Sequence, residues 1–308
     1  MADIAASSRA VRGDSRTSLH KLMQRKSTIA FLMALPLILL IFILVAYPAG
    51  YAIWLSMLNK SMTKFVGFGN FDFLFKRATF WEIVLQSCLF AISAVIFKAL
   101  IGFIVAHFVN NIPTKGQRKW RGMLLVPWVI PAAMSTLSWL WLFDPSYSAF
   151  NWIFAQLGLG RISWLGEAGW ARFSVILVNV WIGAPFFLIM YLAALKSVPE
   201  QLYEAASIDG ANAWQKFIHV TLPMMRSIIA ITVLFSLIVT FANFDIVRVL
   251  TAGGPLTATH VFATWAFRVG IESGDIPLGA TVSLFMVPIL AVAATFILRD
   301  ISKRGSEV

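Results

Sequence analysis

The sequence predicts an all-α membrane protein with six transmembrane helices. Three observations predict it: too few charges to face water, six apolar runs of bilayer length, and a one-sided distribution of Lys and Arg around those runs. Of 308 residues, 59% are apolar and 13% charged. A soluble domain has about 45–50% apolar and about 25% charged residues. A surface with so few charges cannot face water, so lipid must cover much of it.

A hydrocarbon core about 30 Å thick takes about 20 residues of helix. Six segments qualify, at approximately 29–57, 83–109, 123–143, 173–195, 227–247 and 278–298. Before the first lies a polar, Arg- and Ser-rich stretch, 1–27. Its composition is that of a transit peptide, but it runs straight into an apolar segment far longer than a signal-peptide core. No small-residue cleavage site follows, so the reading is a cytoplasmic tail and an uncleaved first span. One transmembrane domain then occupies 28–300, followed by a short tail, 301–308. Pro36, Pro131, Pro185 and Pro288 fall inside spans. Kinks there are tolerated where neighbouring helices or water satisfy the freed backbone groups.

Lys and Arg set the orientation. Sixteen of the 25 lie in the N-terminal tail, the 110–121 and 196–226 loops and the C-terminus, and eight on the opposite side. Both termini are therefore expected in the cytoplasm, which six spans satisfy. Lys98, the remaining basic residue, lies inside a span.

Several function classes drop out. The net charge of +11 sits at the ends of apolar runs, not in a basic patch interleaved with aromatics, so no nucleic-acid partner is expected. The single Cys88 excludes an internal disulfide and a cysteine cluster. His20, His107, His219 and His260 are scattered without metal-ligand spacing. No GxxxxGK[ST] loop occurs, so the chain does not bind ATP by that route. Gly253, Gly254 and Pro255 read as a turn.

The inner loop, 197–225, carries the strongest local signal. Ser197 and Glu200 have capping-box spacing, with Pro199 in the first turn. Leu202, Ala205 and Ala206 line one helical side, and Gly210 ends the helix. A second helix from about Ala211 places Trp214, Phe217 and Ile218 on one face, and Pro223 opens the fifth span. The expected result is a helical hairpin whose tip presents small Ala205 and Ala206 beside acidic Glu204 and Asp209.

The run EAASIDGANAWQKFIHVTLP resembles the EAA loop of importer permeases, whose pattern is EAA, three residues, G, nine residues, I/V-x-LP. Glu204, Ala205, Ala206, Gly210, Val220, Leu222 and Pro223 fall on it. Three further stretches are similar to sugar-type permeases. They are FDIVRVLTAGGP with its following Thr residues within 241–270, GFGNFDFLF at 67–75, and LVPWVIPAAMSTLSWLWLF at 125–143. The resemblance implies a type I ABC importer permease fold, five core spans preceded by one extra helix, with a cytoplasmic coupling helix. It implies that Glu204, Ala205, Ala206, Asp209 and Gly210 dock on a partner ABC ATPase dimer, which alone binds ATP and Mg. The other implied partners are a second homologous permease chain and a periplasmic or lipid-anchored solute-binding protein, in a bacterial inner membrane. The chain would then be a transport subunit with no cofactor of its own, moving a sugar, glycoside, sugar alcohol or glycerol phosphate inward.

Polar residues inside spans are costly and mark candidate function. Asn179 with Trp181, in the fourth span, and Asn243 and Asp245, at the outer end of the fifth, are candidate substrate-pathway residues. Amides and carboxylates bond sugar hydroxyls, and the neighbouring Phe241 and Phe244 suit C–H faces. The competing reading is helix–helix bonding or a gate contact, and the FD pair's place in the resemblance favours gating for Asp245. Lys98, about 16 Å from the inner end of its span, is expected to face a cavity, a partner subunit or an acidic group. It and Arg248 are compatible with an anionic solute. A stand-alone secondary transporter or channel would show internal repeats, and none is evident. A membrane enzyme would need convergent His, Asp or Cys residues, which the spans lack.

Overall fold

The structure is a computed structural model that describes residues 26–305, with the side chains of 29–299. The tail expected at 1–27, with five of its six basic residues, lies outside the described residues up to 25, as do the last three residues of the chain. The chain divides into two units, 1–54 and 55–308. Apart from one isolated antiparallel bridge between Leu58 and Phe65, the described residues form helices and loops.

The first unit is a long apolar helix. Helix α1 (Lys26–Ile41) passes through a π turn (Phe42–Ala46) into α2 (Tyr47–Ser56). The turn has a cause in Pro48, whose ring lacks an N–H and clashes with the carbonyl four residues back. A π turn moves the bond, so that the Tyr47 N–H donates to Phe42 O and the helix continues. Tyr47, Tyr51 and Trp54 stack along the far end at 6.3 and 5.6 Å, the amphipathic girdle of a membrane interface.

The second unit holds the remaining elements. They are α3 (Gly69–Phe75), α4 (Ala78–Asn110), α5 (Thr114–Leu124), α6 (Val126–Val129), α7 (Ala132–Leu142) and α8 (Ala149–Gln156). Then come α9 (Ala168–Ser197), α10 (Glu200–Ile208), α11 (Ala213–Lys216), a second π turn (Phe217–Thr221) and α12 (Leu222–Phe241). The chain closes with α13 (Asp245–Leu250), α14 (Phe262–Phe267), a third π turn (Arg268–Glu272), α15 (Ile276–Leu284) and α16 (Met286–Gly305).

Helices α4 and α9 share the most extensive contact, and α12 lies against both. Gly102 makes that approach possible: a Cβ there would overlap the Phe187 Cβ. Around it the buried core runs through Val95, Ala106, Phe187, Tyr191, Leu192 and Met225. A second close approach joins Gly270 to Gly279.

Among the described residues, five helices are long and apolar enough to cross a membrane. The third predicted segment, 123–143, is instead α5, α6 and α7 in series. Pro131 forces Ile130 into extended backbone (φ −70°, ψ 134°), and α7 begins afresh behind it. The expected second helix of the hairpin is also not separate. Residues 213–241 form one helix, and the second π turn lets it pass Pro223 as the first passes Pro48, with the Leu222 N–H donating to Phe217 O. The fifth span thus begins at Ala213, well before Pro223. At the other end of the chain, α16 runs to Gly305 with no boundary at 300.

Candidate functional site

The EAA hairpin is built from both its ends. Ser197 does not cap α10: it belongs to the last turn of α9, where its Oγ donates to Ala194 O at 2.8 Å. Pro199 is the N-cap residue, without a side-chain bond. The capping box forms one helix later. Asn212 Oδ1 accepts from Gln215 N at 2.9 Å, and Gln215 Oε1 accepts from Asn212 N at 2.8 Å. The expected end at Gly210 is borne out in detail. Ala211 N donates to Ala206 O at 2.9 Å and Gly210 N to Ser207 O at 3.1 Å, the bond pair of a Schellman cap. Gly210 sits at φ +78°, where other residues are strained.

No residue of α10 is buried. Glu204, Ala205, Asp209 and Gly210 are exposed and Ala206 is half-buried. Sequence reasoning missed Ile208, which is 87% exposed; an apolar side chain ending an otherwise polar face was the available signal. It also missed the tether. Tyr203 Oη lies 2.9 Å from Thr221 Oγ1, tying α10 to the π turn. Phe217 in that turn meets Phe103 at 5.4 Å, and Phe103 meets Tyr191 at 6.1 Å, so the hairpin is continuous with the core. Lys216 Nζ donates to Ser207 Oγ at 2.6 Å across the hairpin.

The second group of polar residues lies deeper. Lys98 is 4% exposed, and its Nζ donates to Thr240 Oγ1 at 2.6 Å. Its stem fills the space a Cβ at Gly183 would occupy. Among the described residues its bonded partner is thus a hydroxyl from its own chain. Lys98 stands twelve residues before the end of α4, about 18 Å along the axis. Thr240, next to last in α12, therefore lies beside the middle of α4. The break that follows, at 242–244, is thus level with the interior of α4 and not with its end. Asn243 and Asp245 move with it: Asn243 lies in the break and Asp245, exposed, opens α13.

Asn179 is 5% exposed, and its Oδ1 has no hydrogen-bond partner; Asn243 Oδ1 is likewise buried and unpartnered. Asn179 shares a helix face with Gly183, one turn on, and so faces the side where Lys98 packs. Trp181 points the opposite way. It meets Trp139 edge to face at 5.5 Å and lines an apolar cleft of about 320 Å³ with Ile101, Leu124, Pro127 and Pro185. Lys98 thus touches α9 at Gly183 and α12 at Thr240, with Asn179 one turn before the first and Asn243 three residues after the second, while Trp181 is turned to the other face of α9.

Beyond the break, Arg248 is held by Glu272 at 2.6 Å and lies over Phe267. His260, 1% exposed, accepts at Nε2 from Arg268 at 3.0 Å and approaches Thr264 Oγ1 through Nδ1 at 3.1 Å. Its ring covers Gly253, at φ +90°, where a Cβ would collide with it. The Gln86 amide nitrogen clamps the same loop by donating to Thr257 O and His260 O. Arg172 Nε adds a bond to Ala258 O.

Burial first, then the charge of Arg268, hold His260 down to about 4 from 6.5; Glu272 opposes them and Arg248 adds to them. Between those two pH values the unfolded chain takes a proton that the folded chain refuses, so stability falls as pH drops from 6.5 toward 4. The purified protein is expected to melt lower at pH 5 than at pH 7.5, and His260→Gln to lose most of that difference. An equal drop in the variant would assign the effect elsewhere.

Residues 98–306 match the family described as the inner membrane component of binding-protein-dependent transport systems. The trehalose/maltose transport system permease protein MalF of Thermococcus litoralis is 32% identical over 86% of this chain and 90% of its own length. The sulfoquinovosyl glycerol transport system permease protein SmoG of Agrobacterium fabrum is 29% identical over 87% and 89%. Among solved structures, a chain of a bacterial ABC transporter involved in import of the acidic polysaccharide alginate superposes with a TM-score of 0.80 at 25% identity. That match covers 93% of this chain and 99% of the other. With a type I importer permease architecture, an exposed EAA hairpin and the family match over residues 98–306, this chain belongs to the inner membrane components of binding-protein-dependent transport systems, the transport subunits of ATP-driven importers and not enzymes themselves.

Proposed function

We propose that the chain forms one half of a translocation pathway that takes a sugar or sugar-derived solute from a periplasmic or lipid-anchored binding protein into the cytoplasm. Both termini are cytoplasmic in this reading, and the membrane is the bacterial inner membrane. A second homologous permease chain completes the pathway. An ATPase dimer, which binds the ATP and Mg, docks on Glu204, Ala205, Ala206, Asp209 and Gly210. The exposed, Schellman-capped α10 carries the proposal: a helix with no buried residue, flanked by acidic side chains and tethered to the fifth span through Tyr203, is shaped to pass motion inward. The saccharide part is supported by the relatives, whose names specify trehalose and maltose, sulfoquinovosyl glycerol and alginate.

Asn179 and Asn243 are the proposed solute contacts. Their free amide oxygens are acceptors that a sugar hydroxyl would satisfy, and an unmet buried acceptor costs about 1–3 kcal/mol. Trp181, on the opposite face of α9, and Asp245, at the start of α13, are assigned to packing and gating respectively within the same pathway.

Glu204→Lys tests the docking role. Charge reversal on the exposed face is expected to cut uptake about tenfold in proteoliposomes holding the assembled importer, because a like-charge clash at an interface costs several kcal/mol. Solute binding by the external receptor should be unchanged. Wild-type uptake in the variant would remove Glu204 from the interface. In a Cys88→Ser background, a cysteine at position 204 should react with an impermeant thiol reagent from the cytoplasmic side only. Labelling from outside would invert the topology.

A further inference from the structure

Lys98 is a cation without an anion. The two helices that enclose it with α4 supply none: α9 and α12 contain no Asp or Glu. Helix α4 has one, Glu82, sixteen residues before Lys98 and about 24 Å away along the axis. Asp245 begins the next helix and is exposed. The only bond to the Lys98 ammonium among the described residues is the Thr240 hydroxyl. Intramembrane charges without pairing are expensive, and they face function by default.

The surroundings say what completes the site. Asn179 Oδ1 and Asn243 Oδ1, both buried, lie on the two strands of chain that flank Lys98 and have no partner. One is a turn from Gly183, against which the Lys98 stem packs; the other is three residues past Thr240. Two unmet acceptors and an amino group that has only a hydroxyl for a partner make up the candidate site. A hydroxylated solute bearing an acidic group satisfies all three: hydroxyls donate to the amides, and the anion takes the ammonium. Broken helices inside the membrane line solute sites in other transporter folds for this reason, since their backbone is tolerated only in protein or beside a water-filled cavity. A carboxylate from a second permease chain is the other possible partner for Lys98.

We propose that Lys98 selects an anionic sugar, one carrying a carboxylate, sulfonate or phosphate, and that Thr240 holds the ammonium in place for it. The proposal rests on the saccharide reading above. The first measurement is calorimetric binding of neutral and acidic pairs (glucose with glucuronate and glucose 6-phosphate, and the corresponding disaccharides) to the solute-binding protein that serves this importer. Acidic members are expected to bind at least tenfold more tightly. The second is uptake of the best acidic sugar by the assembled importer in proteoliposomes. Lys98→Gln should fall at least tenfold, Lys98→Arg should keep at least half of wild-type uptake, and Thr240→Val should lower uptake of the acid more than uptake of its neutral partner.

A receptor preferring the neutral partner overturns this inference and leaves the saccharide reading intact. A receptor that takes no sugar overturns both. Wild-type uptake of the acid by Lys98→Gln overturns the role of Lys98. So does loss of co-purification with the second permease chain in Lys98→Gln but not Lys98→Arg, which would assign the charge to a subunit contact.

Discussion

Replacing Gly210 by valine is expected to cut solute uptake at least tenfold while the importer still assembles and its receptor still binds solute. The reason lies in one dihedral angle. Gly210 holds φ +78°, and the two cap bonds, from Ala211 N to Ala206 O and from Gly210 N to Ser207 O, exist only in that conformation. A left-handed residue other than glycine costs about 1–2 kcal/mol, and a β-branched one more. Each 1.4 kcal/mol is a factor of ten in population, so the closed hairpin becomes a minority form. Space is not the issue, because a Cβ at Gly210 would meet nothing within 4 Å. The folded core is therefore spared, and the loss appears in coupling. Uptake and ATP hydrolysis measured together in proteoliposomes check it: hydrolysis should continue while uptake falls. Gly210→Asn should be milder, since asparagine tolerates this conformation. Coupling in Gly210→Val equal to wild type would show that the cap geometry does not matter.

The second large effect is on folding. Gly102→Val is expected to prevent recovery of folded protein, and Gly102→Ala to lower its melting temperature by several degrees. A Cβ at residue 102 would overlap the Phe187 Cβ and lie 3.1 Å from the backbone of Leu188. Backbone cannot rotate out of the way as a side-chain end can. Overpacking by one methyl costs about 1–3 kcal/mol in a well-packed core, and valine adds two more carbons at the contact between α4 and α9. Gly122, on α5, is the internal control: a Cβ there meets nothing within 4 Å, so Gly122→Ala should be neutral or slightly stabilising through helix propensity. Melting of the three purified variants decides it. A Gly102→Ala protein as stable as wild type would mean that α4 and α9 do not approach as described.

How much of this was legible beforehand differs by element. The long spans were readable because hydropathy is local: 83–109 and 173–195 lie inside α4 and α9. Their true ends, Ala78–Asn110 and Ala168–Ser197, were not, since the added first turns run into the charged Glu82 and Arg172, which interrupt an apolar run. The fifth span shows the limit more sharply. The largely apolar segment 227–247 gave a plausible helix, but the helix begins at Ala213, fourteen residues earlier, and so also ends earlier, at Phe241. Pro223 looked like a start signal; a π turn disposes of the missing N–H, and no local rule distinguishes the two outcomes. Ser197 and Glu200 had the right spacing for a capping box, yet α9 absorbed Ser197 because its apolar face remained in contact with α4 for another turn.

The sequence by itself determined the membrane class, the EAA hairpin with its Gly210 end, and the polar residues worth weighing, because each depends on composition or on neighbours a few positions apart. The tertiary structure alone decided which of those residues meet. It set Lys98 on Thr240, 142 residues away, left the Asn179 and Asn243 amide oxygens buried without a partner, and turned Trp181 to the other face of α9. Those outcomes follow from how far along its axis each helix is inserted. That offset is set by contacts such as Gly102 on Phe187 and Lys98 on Gly183, between residues that no local pattern connects.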